Sequence, residues 1–175
     1  MTKVMGWTVD SGLVPVPKCV VVCAPHTSNW DFVVSYLYYR SCGGRAHFMM
    51  KKELFIPPLS WIVRALGAFP IDRKHPTEMV KNCITALETK EHFHIAMSPE
   101  GTRKAVKNWK TGYHLIAKSA GVPVWMAYCD WGTKHIGLLG EFKLTDNARE
   151  DTKRLQETYG AQGYVARHPE NFVTK

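Results

Sequence analysis

A histidine and an aspartate stand five residues apart in segment 25–31, PHTSNWD. On a regular helix this spacing gives poor contact, because facing side chains are three or four residues apart. Across a strand-to-helix turn, Asp31 can reach back to the imidazole of His26, fix its tautomer and stabilise the imidazolium, so that Nε2 can take a proton. The pair is then the base half of a catalytic triad without its serine, and the hydroxyl of a substrate is the natural nucleophile. A capped helix start with an incidental histidine is the alternative.

Segment 98–104, SPEGTRK, follows an apolar run directly and offers groups that suit an anionic ligand. Gly101 permits a tight turn or the close approach of a substrate. Arg103 presents a planar fork of donors that matches phosphate. The alternative interpretation is a surface turn with a salt bridge between Glu100 and Arg103.

Segment 67–74, GAFPIDRK, again places adjacent cations after a predicted strand. Arg73 at this position could bind a phosphate. Equally, Asp72 and Arg73 could be ordinary solvated charges in a loop.

The hydrophobic pattern predicts the elements that position these segments. The predicted strands are 20–24, 46–50, 68–71, 93–97, 122–128 and 138–144. The predicted helices are 30–39, part of 52–66, one that begins at Pro76, 110–120 and 146–159. Strands that alternate with helices predict one α/β domain over residues 1–175, with a mixed, largely parallel sheet flanked by helices. Active sites in such sheets lie in the turns that follow the strands, so we expect the three polar segments to converge.

Length and composition exclude several classes of protein. A chain of 175 residues suits a single domain. We find no run of about 18 apolar residues and no secretory signal, which predicts a protein that is soluble or peripheral to a membrane. Five cysteines without a Cys-x-x-Cys pair favour reduced thiols in a cytoplasmic protein, and the Cys and His spacing predicts no metal site.

The chain is basic, with 23 Lys and Arg against 15 Asp and Glu. A net charge of +8 favours anionic partners: nucleic acid, anionic lipid headgroups or phosphorylated substrates. A solvated basic face would give the same charge. No aromatic-basic nucleic-acid motif, P-loop or dinucleotide fingerprint occurs, so we expect no nucleic-acid partner.

Taken together, the motifs resemble the glycerolipid (phospholipid/glycerol) acyltransferase family, which includes bacterial lysophosphatidic acid acyltransferase. Four family blocks occur in family order. The His-x-x-x-x-Asp block is matched by 26–31, and the Gly-x-x-Phe-Ile-x-Arg-type block resembles 67–73. The Phe-Pro-Glu-Gly-Thr-Arg block is matched by 99–103, with Ser98 in place of Phe, and an apolar Val-Pro block by 122–124.

The resemblance implies a role for each matched residue. It implies His26 as general base and Asp31 as its orienting partner. It implies that the acceptor's glycerol phosphate is bound by Arg73, Glu100, Gly101, Thr102 and Arg103. It also implies an acyl-CoA or acyl-ACP donor, a lysophospholipid or glycerol-phosphate acceptor, and neither metal nor cofactor. An amine lipid or a non-phosphorylated alcohol is the alternative acceptor, and a non-catalytic module that binds anionic lipid or nucleic acid is the alternative function.

A membrane-associated setting is implied as well, and we expect the protein in the cytoplasm, peripheral to the inner face of the membrane. One segment suits an anionic membrane surface. Residues 54–63 are densely apolar, broken by prolines, and flanked by Lys51, Lys52 and Arg64. They could lie at a lipid interface or wall an acyl-chain tunnel. A buried core segment is the alternative.

Overall fold

The computed structural model describes residues 2–4, 6–71 and 76–174, and these ranges contain eight strands and five α-helices. The strands are β1 (Thr2–Val4), β2 (Trp7–Val9), β3 (Lys18–Cys23), β4 (Ala46–Lys51), β5 (Ala68–Ile71), β6 (Phe93–Met97), β7 (Val124–Asp130) and β8 (His135–Phe142). The helices are α1 (Asn29–Ser41), α2 (Leu59–Ala65), α3 (Pro76–Thr89), α4 (Gly112–Ala120) and α5 (Ala148–Ala161). Short 3₁₀ turns lie at Lys52–Leu54 and Pro169–Asn171.

The strands form one mixed sheet in the order β1-β2-β8-β7-β3-β6-β4-β5. The pairs β1–β2 and β7–β8 are antiparallel, and every other neighbouring pair is parallel. The prediction of an α/β fold with a largely parallel sheet is therefore confirmed.

Most of the predicted strands and helices occur in the structure. Some begin at a different residue than the hydrophobic pattern predicts, because local hydrogen bonds set their ends. Strand β8 begins at His135 rather than at 138, because it pairs with β7 across a tight connection that sets Asp130 opposite His135. Helix α4 begins at Gly112 rather than at 110, because the amide of Lys110 bonds to the carbonyl of Pro99. Strands β1 and β2 were not predicted, because three residues each are too few to show a period.

The core lies on both faces of the central strand β3, as its unbroken apolar run predicts. Val20 and Val22 are buried in one cluster with side chains of α3, α4 and α5. Val21, on the opposite face, is buried with Val14 and Ala127. Full burial of such a side chain contributes about 1.5–3 kcal/mol, so these contacts stabilise the middle of the sheet.

The strand order decides where the polar segments lie. Strand β3 lies between β7 and β6, and all three are parallel. The turns that follow β3 and β6 therefore emerge side by side at the same edge of the sheet, although 74 residues separate His26 from Glu100. This topology brings two of the three predicted segments together, 25–31 and 98–104. The polar residues 72–75 of the third segment lie outside the described residues, so their convergence stays a prediction.

None of the helices in the described part of the chain combines the length and the hydrophobicity that a bilayer crossing requires. The five cysteines are free, and Cys19, Cys83 and Cys129 are buried.

Candidate active site

The helix start after β3 fixes the position of Asp31. Ser28 is the N-cap of α1, and its hydroxyl accepts a hydrogen bond from the amide of Trp30 at 3.2 Å. In the opposite direction, Oδ2 of Asp31 accepts hydrogen bonds from the backbone amides of Thr27 at 2.6 Å and Ser28 at 2.7 Å. A Ser followed three residues later by an acidic residue is a capping box. The capped helix start and the predicted His/Asp pair are therefore the same structure, rather than alternatives.

His26 and Asp31 lie close together, but they are not hydrogen-bonded. Nδ1 of His26 is 3.7 Å from Oδ2 of Asp31, beyond hydrogen-bonding distance. The second carboxylate oxygen, Oδ1, accepts from the indole N–H of Trp131 at 2.7 Å. Asp31 is buried, whereas the side chain of His26 is 29% exposed. Asp31 thus orders the loop and places a negative charge next to the ring.

The surroundings of His26 favour the neutral imidazole. Burial lowers its pKa below the ordinary value, and the positive charge of Arg103 lowers it further, whereas the negative charge of Asp31 acts in the opposite direction. A neutral imidazole at neutral pH is able to accept a proton.

Gly101 closes the turn at the start of segment 98–104. Its amide donates to the carbonyl of Ser98 at 3.2 Å, and its φ of 68° lies in the left-handed region. A Cβ at this position would meet Cγ of Lys110 at 3.1 Å. The positive φ therefore favours glycine here, and a larger residue would also have to displace the side chain of Lys110.

Glu100 joins the two polar segments. Its Oε2 accepts from the backbone amide of His26 at 2.9 Å and from the hydroxyl of Ser98 at 2.8 Å. The residue is only 3% exposed, and burial raises its pKa from 4.5 to about 7. The alternative of a surface salt bridge with Arg103 is wrong, because Glu100 is buried and Arg103 donates instead to the side-chain oxygen of Asn29.

One cavity of about 840 Å³ lies at this edge of the sheet. Its polar part is lined by His26, Asp31, Asn29, Gly101, Thr102, Arg103 and Lys110. Its apolar part includes Phe32, Tyr36, Phe48 and Met50. A base, two cations and an apolar wall in one cavity suit a ligand with an anionic headgroup and a hydrocarbon chain.

The predicted site residues divide into three groups. The cavity is lined by His26, Asp31, Gly101, Thr102 and Arg103, whereas Glu100 is buried and does not line it. Arg73 lies outside the described residues, so its role stays a prediction.

Sequence reasoning missed two residues at this site, Lys110 and Trp131. Lys110 is one of 23 basic residues and belongs to no motif. Trp131 reaches Asp31 from 100 residues away, a contact that no local pattern indicates.

Comparison with known proteins assigns the class. The sequence model of the family described as Acyltransferase matches residues 10–129, and the chain belongs to this family. A 1-acyl-sn-glycerol-3-phosphate acyltransferase of Streptococcus pneumoniae (strain ATCC BAA-255 / R6) is 37% identical over 106 residues. That match covers 59% of this chain and 39% of the relative, so the chain spans about two fifths of the relative's length.

A solved structure has a similar fold. It is the 1-acyl-sn-glycerophosphate (LPA) acyltransferase PlsC of Thermotoga maritima, with a TM-score of 0.56 and 17% identity. The match covers 91% of this chain and 73% of that one. At this identity the likeness concerns the fold.

Proposed function

We propose that this chain transfers a fatty acyl group from a thioester carrier to the hydroxyl of a lysophospholipid or glycerol-phosphate acceptor. The reaction is of the 1-acyl-sn-glycerol-3-phosphate acyltransferase type. One observation carries the proposal: His26, with a lowered pKa, shares a cavity with Arg103, Lys110 and an apolar wall. The family and the Streptococcus relative support the same reaction class.

In the proposed mechanism, Nε2 of His26 takes the proton of the acceptor hydroxyl as its oxygen attacks the thioester carbonyl. The charge of Asp31, 3.7 Å from Nδ1, stabilises the imidazolium that forms. The tetrahedral intermediate then collapses, the carbon–sulfur bond breaks, and the carrier leaves as a thiol with the proton from His26. No acyl-enzyme is required, and neither metal nor cofactor takes part.

Binding of the acceptor phosphate is assigned to the cations at the cavity. Arg103 offers a planar fork of donors, and Lys110 adds a second positive charge beside Gly101. Gly101 and Thr102 complete this wall, and Arg73 is proposed to contribute from the segment after β5. For Glu100 we propose a positioning role, because its carboxyl accepts a hydrogen bond from the backbone amide of His26.

The donor is proposed to be acyl-CoA or acyl-ACP. Two alternatives remain for the chain as a whole. Transfer to an amine lipid or a non-phosphorylated alcohol would use His26 as the base and would not need Arg103 and Lys110. A non-catalytic module that binds anionic lipid or nucleic acid would need those cations and would not need His26.

An anionic membrane surface is the proposed partner, at the inner face of the cytoplasmic membrane. Support comes from the segment around α2, where Ile56 is 63% exposed, Trp61 71% and Ile62 58%. The buried residue Val63 of the same helix packs with Phe48, which lines the cavity. An apolar surface of this kind favours contact with lipid over the alternative of a buried core segment.

Release of free thiol from acyl-CoA or acyl-ACP, measured across a panel of acceptors, tests the reaction. We expect release only with a lysophospholipid or glycerol phosphate present. His26→Ala should lower kcat by about 10²–10⁴-fold, because the base is lost. His92→Ala is the control, since His92 is an exposed histidine next to the amino end of β6, at the opposite edge of the sheet. A near-normal rate in His26→Ala would rule out this mechanism.

A further inference from the structure

We propose that Trp131 is a positioning residue for the His26–Asp31 pair, through the hydrogen bond from its indole N–H to Oδ1 of Asp31. The inference rests on the proposed function, since it gives that pair its catalytic role. Trp131 lies in the turn after β7, beyond the residues 10–129 that the family matches. The contact is therefore a feature of this chain that its family membership does not assign.

The two oxygens of the Asp31 carboxylate are held by different parts of the molecule. The loop itself supplies the two amides that bind Oδ2, those of Thr27 and Ser28. The only side chain that donates to Oδ1, within the residues that the structure describes, is Trp131 at 2.7 Å. Donors on both oxygens fix the plane of the carboxylate, and hydrogen bonds to an ionised acceptor are strong ones. This plane sets the distance from Oδ2 to the imidazole of His26.

Trp131 can act in this way because its own ring is held in place. The ring of Trp7 meets it edge to face, with 4.8 Å between the centroids. The guanidinium of Arg167 lies over it, 4.5 Å from the ring centroid. The amide of Trp131 also donates to the carbonyl of Val165 at 2.9 Å. An indole fixed on both sides and through its backbone presents its N–H in one direction.

The C-terminal segment that holds Trp131 also touches the loop of His26. The backbone amide of His168 donates to the hydroxyl of Thr27 at 3.1 Å. Arg167 lies over Trp30 as well, 5.5 Å from its ring centroid. Segment 165–168 thus contacts both Trp131 and the start of α1. These two parts of the molecule are the ones that donate hydrogen bonds to the carboxylate of Asp31.

Electrostatics predict the result of losing this N–H. In the described part of the chain, the charged or titratable groups that face His26 are Asp31, Arg103 and Glu100. The indole N–H of Trp131 is a neutral donor, and its hydrogen bond partly offsets the negative charge of Asp31. Without it, more of that charge is available to stabilise an imidazolium, so the pKa of His26 rises.

Trp131→Phe tests the proposal, because it keeps an aromatic ring and removes the N–H. Trp125→Phe is the matched control: Trp125 lies on β7, and its buried indole nitrogen has no hydrogen-bond partner among the residues that the structure describes. We expect Trp131→Phe to lower kcat by about tenfold and to leave the acceptor KM unchanged. The acid limb of its pH–rate profile should move to higher pH, while Trp125→Phe matches the wild type.

A second readout does not depend on turnover. The titration of His26 is followed by NMR on protein with ¹³C-labelled histidine, and the signal is assigned by its absence in His26→Gln. A higher pKa of His26 in Trp131→Phe supports the proposal. If Trp131→Phe does not fold, the benzothiophene isostere of tryptophan at position 131 keeps both rings and still removes the donor.

The possible results separate the two proposals. An unchanged pKa of His26 in the folded variant, or an equal change in Trp125→Phe, would overturn the role of Trp131. If the wild type transfers no acyl group to any acceptor, the proposed function fails, and the NMR titration still decides whether Trp131 sets the state of His26.

Discussion

At the scale of single residues, burial and hydrogen bonds decide what each polar group of the site can do. His26 is kept neutral by burial and by Arg103, against the charge of Asp31. Glu100 is buried deeply enough to hold a proton near neutral pH. The sequence supplied the identity of these groups through their motifs. It could not supply their burial, because charged residues in loops are usually exposed.

The raised pKa of Glu100 predicts a pH-dependent stability. Its pKa is 4.5 when unfolded and about 7 when folded, so the folded state binds more protons between these values. Stabilisation is therefore present below 4.5 and is lost as the pH rises through about 7. Glu100→Gln keeps an acceptor oxygen and cannot ionise. Relative to this variant, the wild type should lose of order 2 kcal/mol of unfolding free energy between about pH 5 and about pH 8.

Urea unfolding of both proteins at the two pH values measures this difference. Asp151→Asn would be a poor control, since Asp151 is the buried acceptor of its own network. Glu157→Gln, an exposed carboxylate of α5, is a better one and should follow the wild type. Parallel pH dependence in wild type and Glu100→Gln would show that the Glu100 proton is not linked to folding.

Arg103 carries the prediction about the acceptor. Arg103→Gln should raise the KM of a phosphorylated acceptor by about tenfold, because a charge-assisted contact to phosphate is lost. The KM of a non-phosphorylated alcohol acceptor should stay the same. Steady-state kinetics with both acceptors make the comparison, with Arg149→Gln, an exposed arginine of α5, as the control. Equal changes for the two acceptors would contradict phosphate binding by Arg103.

At the scale of elements, α2 stands apart from the other helices. The segment around it buries Val63 and leaves Ile56, Trp61 and Ile62 mostly exposed. Its sequence allowed a lipid interface, a tunnel wall or a core segment, because an apolar run does not reveal which neighbours cover it. Exposure of the large side chains argues against the core, whereas the contact of Val63 with Phe48 places the segment next to the cavity.

The exposed side chains of α2 give a prediction for lipid binding. Trp61→Ser combined with Ile62→Ser should weaken binding to vesicles of phosphatidylglycerol and phosphatidylcholine at least about tenfold, because apolar surface is no longer buried in lipid. Sedimentation with the vesicles measures the bound fraction. Leu115→Ser is the control, since Leu115 is an exposed leucine of α4, 53% exposed. An equal loss in the control, or none in the double variant, would place the lipid contact elsewhere.

At the scale of the whole molecule, the alternation of strands and helices was sufficient to predict the fold class and the convergence of the two central turns. The exceptions have physical causes. The hairpin of β1 and β2 has strands too short for a periodic signal. The bond from Trp131 to Asp31 depends on how the end of β7 packs against the start of α1, and long-range packing leaves no local trace in the sequence.

The position of β3 between β7 and β6 has a consequence for how such a protein can diversify. The turns that carry His26 and Glu100 belong to the middle of the sheet, whereas β4 lies next to the edge strand β5 and contributes Phe48 and Met50 to the cavity. Substitutions in β4 can reshape the apolar part of the cavity, where the proposed function places the hydrocarbon chain, and leave the central turns untouched. Under the proposed function, chain-length preference and proton transfer are therefore separable traits, each able to change under its own selection.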